Sequence, residues 1–165
     1  MNNLYQRLIF LHGLEGSSQG VKATLLRSLF PGILTPDFSG LLEERMRKLN
    51  GILGAETDWT IIGSSFGGLM AAIFAHQHPD QVNKLILLAP AITLPDFKGT
   101  PQQPVRVPTT IVHGTRDELL PIEGVRKIAE KIFLNLSFVT VDDDHGLYQT
   151  AQNLDWFALL AKQSK

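Results

Sequence analysis

Short apolar runs of strand length alternate along this chain with longer stretches whose apolar positions recur at helical spacing. Leu8-Ile9-Phe10-Leu11 and Leu85-Ile86-Leu87-Leu88 are apolar at every position. Strands of that kind are covered on both faces, which is the condition of a parallel sheet with helices packed on either side. The pattern predicts strands over 7–12, 33–35, 59–63, 84–89, 109–113 and 137–141, and helices over 20–30, 41–53, 66–77, 122–133 and 147–161. Pro31, Pro79 and Pro121 fall where helices stop or begin. The segment 92–107, with three prolines and a glycine, lacks either period and reads as a surface excursion. The expected architecture is an α/β three-layer sandwich, a mostly parallel six-stranded sheet with helices on both faces. No repeat, low-complexity tract or linker divides it, so residues 1–165 are expected to form one domain.

Composition narrows the function classes. The 165 residues are enough to bury roughly two-thirds of the surface of the unfolded chain. With 44% hydrophobic and 19% charged residues, the chain reads as globular rather than disordered. The formal net charge is −1 and the lysines and arginines form no stripe, which argues against nucleic acid or an anionic membrane as partner. Without cysteine there is no disulfide, thiolate nucleophile or Cys-based zinc site. The run Leu8–Leu11 is too short for a signal segment or membrane span, which makes the cytoplasm the default expectation.

Candidate chemistry begins at Gly63-Ser64-Ser65-Phe66-Gly67, a G-x-S-x-G match where a predicted strand meets a helix rich in small residues. By composition alone such a match arises in roughly one chain in twenty of this length, so its setting matters more than the match. A nucleophile on a sharp strand-to-helix turn needs small residues two before and two after it, and only Ser65 has glycine at both positions. The turn aims a helix N-terminus at the reacting centre, and the Phe66 N–H becomes an oxyanion donor. The alternative is a glycine-rich packing turn without chemistry.

A serine hydroxyl needs a base, and the base needs an acid to hold its tautomer. Asp117 follows the predicted strand 109–113 in His113-Gly114-Thr115-Arg116-Asp117, and His145 follows the last strand in Asp142-Asp143-Asp144-His145-Gly146. All three candidates therefore lie beyond strand carboxyl ends, where open parallel sheets place their ligands. Asp142 or Asp144 could orient His145 in place of Asp117. The first strand ends in His12-Gly13-Leu14-Glu15-Gly16, which curls toward the same sheet edge and offers the Leu14 N–H as a second oxyanion donor by position. His12 is expected to structure that turn by hydrogen bonding rather than to react. Glu15, Asp37, Phe38 and Leu119, all after strand ends, are candidates for the substrate edge of the site.

At this point the chain resembles an α/β-hydrolase over nearly its whole length. The resemblance rests on the serine elbow, Leu11-His12-Gly13, His78-Pro79-Asp80 with the run 84–90, and 108–114 leading to Asp117 and Pro121. It implies Ser65 as nucleophile, Asp117 as acid, His145 as base and Leu14 and Phe66 as oxyanion donors, in the chain order Ser, Asp, His of that fold. Gly16-Ser17-Ser18 and Lys22-Ala23 are similar to the small bacterial YqiA-like esterases. Two departures stand out: the family's first hairpin strands are absent, and the segment 91–107 leaves no room for a lid domain. An open site for a small or soluble ester or thioester is the expectation, with no cofactor and no metal. The same triad would also suit an amide or peptide, and the same scaffold could be a catalytically silent binding protein.

Other ligand classes fit poorly. Gly13, Gly16 and Gly20, with Asp37 after the second strand, resemble the start of a dinucleotide site, but their spacing is not G-x-G-x-x-G, and Lys22 does not follow Gly20 directly as a phosphate loop requires. His76 and His78 are two apart on a helix and face different ways. Asp142 to Asp144 lack the alternating oxygen spacing of a calcium loop.

Overall fold

The computed structural model describes residues 7–97 and 104–161. Five strands, β1 (Leu8–Leu11), β2 (Trp59–Ser64), β3 (Val82–Leu88), β4 (Thr109–Gly114) and β5 (Leu136–Val141), pair in parallel in that spatial order. Between and after them lie α1 (Val21–Leu29), α2 (Leu42–Leu53), α3 (Phe66–Gln77), α4 (Ile122–Ile132), α5 (Tyr148–Asn153) and α6 (Trp156–Leu160).

Side chains alternate across each strand, and this divides the core in two. Ile9, Leu11, Ile61, Leu85, Leu87 and Ile111 pack with α2, α3 and α4 on one face. Leu8, Phe10, Ile62, Ile86, Leu88 and Val112 pack with α1, α5 and α6 on the other. Two buried faces explain why the central strands are apolar throughout. The helix α3 is apolar around most of its circumference because it lies against the sheet on one side and α2 on another. The edge strand β5 is only half covered, and its exposed Ser137 and Thr140 reflect that.

Two expectations require correction. The strand predicted at 33–35 is reduced to a single bridge, in which the Leu34 N–H donates to Leu8 O (2.9 Å) and the Phe10 N–H donates to Leu34 O (2.8 Å). Gly32, at φ +134, turns the chain just before it, and Pro36, which has no N–H, stops the ladder just after, so the sheet has five strands rather than six. The helix predicted over 147–161 breaks at Leu154, which is extended. Asp155 starts a new helix there by accepting the Ala158 N–H (3.0 Å), while the Trp156 indole donates to Ala151 O (2.8 Å) and folds α6 back against α5.

The described parts of the 92–107 excursion contain turns but no helix, and residues 98–103 lie outside the described residues. Val105 is tied to the end of α4, its N–H donating to Ile132 O (2.8 Å) and its carbonyl accepting the Leu134 N–H (3.0 Å). No helix among the described residues is long and apolar enough to cross a membrane.

Candidate active site

Ser65 occupies the turn between β2 and α3 with φ 54 and ψ −114, a left-handed conformation that costs a residue with a Cβ about 1–3 kcal/mol. The surrounding backbone over-determines it. The Ser65 N–H donates to Leu88 O (2.9 Å), and its carbonyl accepts from Gly68 (2.9 Å), Leu69 (3.2 Å) and Ala91 (3.0 Å). The flanking glycines are required by contact. A Cβ at Gly67 would stand 2.0 Å from Leu11 O, and one at Gly63 would stand 2.5 Å from Gly67 O. Helix α3 can therefore begin hard against the end of β1, which brings the loop after β1 to the serine. A Cβ built on Gly13 would lie 3.4 Å from Ser65 Cβ.

Ser65 Oγ lies 2.9 Å from His145 Nε2, and His145 Nδ1 lies 2.7 Å from Asp117 Oδ2. The residues separated by 80 and 28 positions thus form one hydrogen-bonded line. Asp117 is fully buried, His145 is 22% exposed and Ser65 is half-buried, so the line runs from the interior to the surface. The other oxygen of Asp117 accepts the Leu119 N–H (3.0 Å) and the Leu120 N–H (2.8 Å). Three donors satisfy this buried carboxylate and fix its plane.

The neighbouring aspartates are engaged elsewhere. Asp142 pairs with Arg116 (2.8 Å) at the surface. Asp144 Oδ1 accepts the Gly146 N–H (2.9 Å). Asp143 binds the Thr150 hydroxyl (2.7 Å) and N–H (3.1 Å) at the start of α5, and those bonds hold its carboxyl below the usual carboxylate range. The aspartate run therefore serves as a clasp that stitches the His145 loop to Arg116 on one side and α5 on the other. Leu147, two residues beyond His145, takes φ 50, another left-handed residue at this sheet edge beside Ser65 and Ala89.

His12 structures the turn after β1. Its Nδ1–H donates to Gly13 O (2.6 Å) and its Nε2 accepts the Phe38 N–H (2.9 Å). Asp37 is exposed and receives the Ser18 N–H (2.6 Å) and hydroxyl (2.9 Å), which pin the loop between β1 and α1 and lower its pKa. Phe38 is buried, tilted against His12 at 5.8 Å. Glu15 is exposed, as are Leu14 (57%) and Leu119 (73%). Among the described residues, the Leu14 and Phe66 N–H groups donate to no acceptor of the fold.

Sequence reasoning had no role for His113, the buried β4 residue whose Nε2 lies 2.7 Å from Leu120 O and 3.3 Å from Asp117 Oδ2. A histidine inside an otherwise apolar strand was the available signal, because buried polar groups are there for a partner.

Comparison with known proteins agrees with this architecture. A family model described as alpha/beta hydrolase fold matches residues 42–103, the stretch that holds the elbow and β3. A putative hydrolase of the alpha/beta superfamily from Xanthomonas campestris superimposes with a TM-score of 0.72 at 27% identity, covering 88% of this chain and 93% of that one. The chain has the alpha/beta-hydrolase fold. Two further structures share the fold. Est1E from Butyrivibrio proteoclasticus, solved with ferulic acid bound, has a TM-score of 0.75 at 19% identity and covers 96% of this chain and 90% of its own. A monoacylglycerol lipase from Paleococcus ferrophilus has a TM-score of 0.72 at 16% identity, with 93% of each chain covered. No curated protein matches the sequence. Between β3 and β4 no helix is present among the described residues.

Proposed function

We propose that the protein is a serine hydrolase that cleaves small or soluble carboxylic esters or thioesters through an acyl-enzyme intermediate. The observation that carries this reading is the unbroken line from Ser65 Oγ to His145 Nε2 (2.9 Å) and from His145 Nδ1 to Asp117 Oδ2 (2.7 Å). Ser65 Oγ attacks the substrate carbonyl while its proton passes to Nε2. The carbonyl π electrons move onto oxygen, and the Leu14 and Phe66 N–H groups receive that oxyanion. Collapse expels the alcohol or thiol, which leaves with the proton from Nε2 and an acyl group on Ser65. Water then repeats the cycle, giving its proton to Nε2 as it attacks, and the acid is released as Ser65 regains its hydrogen. Asp117 takes no proton in these steps and stabilises the imidazolium through Nδ1–H.

Substrate class follows from the surroundings. Leu14 beside the nucleophile, Leu119 beside the acid and Tyr148 (56% exposed) beyond the base give each reacting loop an exposed apolar side chain. With no lid helix over them among the described residues, this rim supports an acyl or alcohol group of modest size held at an open edge. The likeness of Gly16-Ser17-Ser18 and Lys22-Ala23 to YqiA-like esterases supports the same direction. The decisive experiment is labelling by a fluorophosphonate probe, with p-nitrophenyl esters of rising acyl length as substrates. Labelling of the wild type but not of Ser65→Ala, with turnover best on short chains, is expected. Well-folded wild type that takes no label would overturn the hydrolase reading, and an optimum at long chains would overturn the open-site reading.

A further inference from the structure

His113 is a buried titratable side chain beside the reacting line that the acyl-transfer steps leave without a task. It is completely buried near the carboxyl end of β4, with its ring stacked on Phe138 of the edge strand at 6.3 Å. Its Nε2 faces two acceptors, Leu120 O at 2.7 Å and Asp117 Oδ2 at 3.3 Å, and so carries the hydrogen. Its Nδ1 is buried with no partner, so a second proton there would have no acceptor. Burial lowers its pKa in the same sense, against the opposing pull of the Leu120 carbonyl and of Asp117 and with the help of His145; Asp117 and His145 are the titratable groups that face it. The ring is accordingly a neutral, fixed donor.

The donor closes a loop of bonds around the acid. His113 Nε2–H holds the Leu120 carbonyl, and the Leu120 N–H holds Asp117 Oδ1 (2.8 Å). Asp117 Oδ2 in turn receives His145 Nδ1–H. The 2.7 Å bond to Leu120 O is the aligned one, and the 3.3 Å approach to Oδ2 lies off its axis, so His113 acts on the acid chiefly through the turn 117–120.

We propose that His113 is a positioning residue: by clamping the Leu120 carbonyl it fixes the turn whose N–H groups aim the Asp117 carboxylate at His145. This rests on the triad reading above. It predicts a loss in kcat rather than in binding, because the clamp touches no substrate.

The test uses a pair of amides. In His113→Gln the side-chain nitrogen reaches about as far as Nε2 and can still donate to Leu120 O, whereas in His113→Asn it reaches only the Nδ1 position. His113→Asn should lower kcat by about tenfold to a hundredfold with KM nearly unchanged, the scale expected for a misplaced reacting group. It should also move the acidic limb of the kcat/KM profile to lower pH, because a poorly aimed carboxylate stabilises the imidazolium less. His113→Gln should recover most of both. If the Asn variant does not fold by circular dichroism, His113→Met, apolar and adaptable but without a donor, takes its place. A donor-less variant with wild-type kcat and an unmoved limb, or a Gln variant as impaired as Asn, would overturn the clamp. Fluorophosphonate labelling of the wild type separates the two failures. An unlabelled wild type removes the triad reading and the clamp with it, while a labelled wild type beside an unaffected Asn variant removes the clamp alone.

Discussion

Asp117→Asn changes a single atom and tests the orientation of the base. Both backbone donors of the turn, Leu119 N–H and Leu120 N–H, point at Oδ1, so an amide at this position keeps its oxygen there. The amide nitrogen then occupies the Oδ2 site, 2.7 Å from His145 Nδ1. Two donors cannot share that contact, so His145 turns to the Nε2–H tautomer and its lone pair faces away from Ser65. To act as a base it must return to the Nδ1–H form. That sacrifices a charge-assisted bond of about 1.5–3 kcal/mol and leaves a buried donor opposed at about 1–3 kcal/mol. The total, about 3–6 kcal/mol, corresponds to a fall of roughly 10²–10⁴ in kcat at 1.36 kcal/mol per decade. Initial rates on p-nitrophenyl acetate, normalised by circular dichroism to the folded fraction, measure it. Activity within tenfold of wild type would refute Asp117 as the orienting acid.

Four other outcomes follow from the same geometry. Asp142→Asn breaks only an exposed pair with Arg116, so it should change stability by less than about 1 kcal/mol and leave kcat within twofold, as read by thermal melts and initial rates. Asp143→Ala removes the clasp on Thr150 and should destabilise by about 1–2 kcal/mol in urea titrations, with the loss fading in acid as the wild-type carboxyl is itself protonated. Gly67→Ala drives a Cβ to 2.0 Å from a strand carbonyl and should abolish labelling of Ser65 or prevent soluble expression. His113 is neutral when folded and free to protonate when unfolded, so its contribution is complete above the ordinary value of 6.5 and erodes as pH falls below it; His113→Gln should flatten that part of the stability curve in melts across pH.

How much of this could be read from the chain depends on the range of each interaction. The central strands were legible because burial on both faces writes itself as continuous apolar runs, and the elbow was legible because the glycines at 63 and 67 answer a local steric demand. The strand at 33–35 was overread because an apolar pair between Pro31 and Pro36 has the composition of a strand without room for its ladder. The last helix was overread because Asp155 can be a helix residue or a helix start, and only the Trp156 contact with Ala151 decides between them. The sequence favours Asp117 as the acid but leaves Asp142 or Asp144 able to take its place. Their separation depends on where Arg116 and Gly146 lie in space, and no periodicity carries that.

The placement of strain at the site has its own logic. Ser65, Ala89 and Leu147 all take positive φ, and all lie just past β2, β3 or the His145 loop at the carboxyl edge of the sheet. A chain leaving a parallel strand must turn sharply to enter its helix, and the sharpest turns lift a side chain clear of the packed layers. The cost is offset nearby by ladder-like bonds that continue past the strands, with Ser65 N–H to Leu88 O and Ala89 N–H to Val112 O at 2.9 Å each. The sheet's hydrogen bonding therefore extends into the turns that carry the chemistry. On the proposed function, a rigid buried Asp117 beside the partly exposed His145 and Ser65 leaves the substrate the only group that needs to move. The proposed function then assigns specificity to the exposed side chains Leu14, Leu119 and Tyr148, which can be exchanged without disturbing either half of the core.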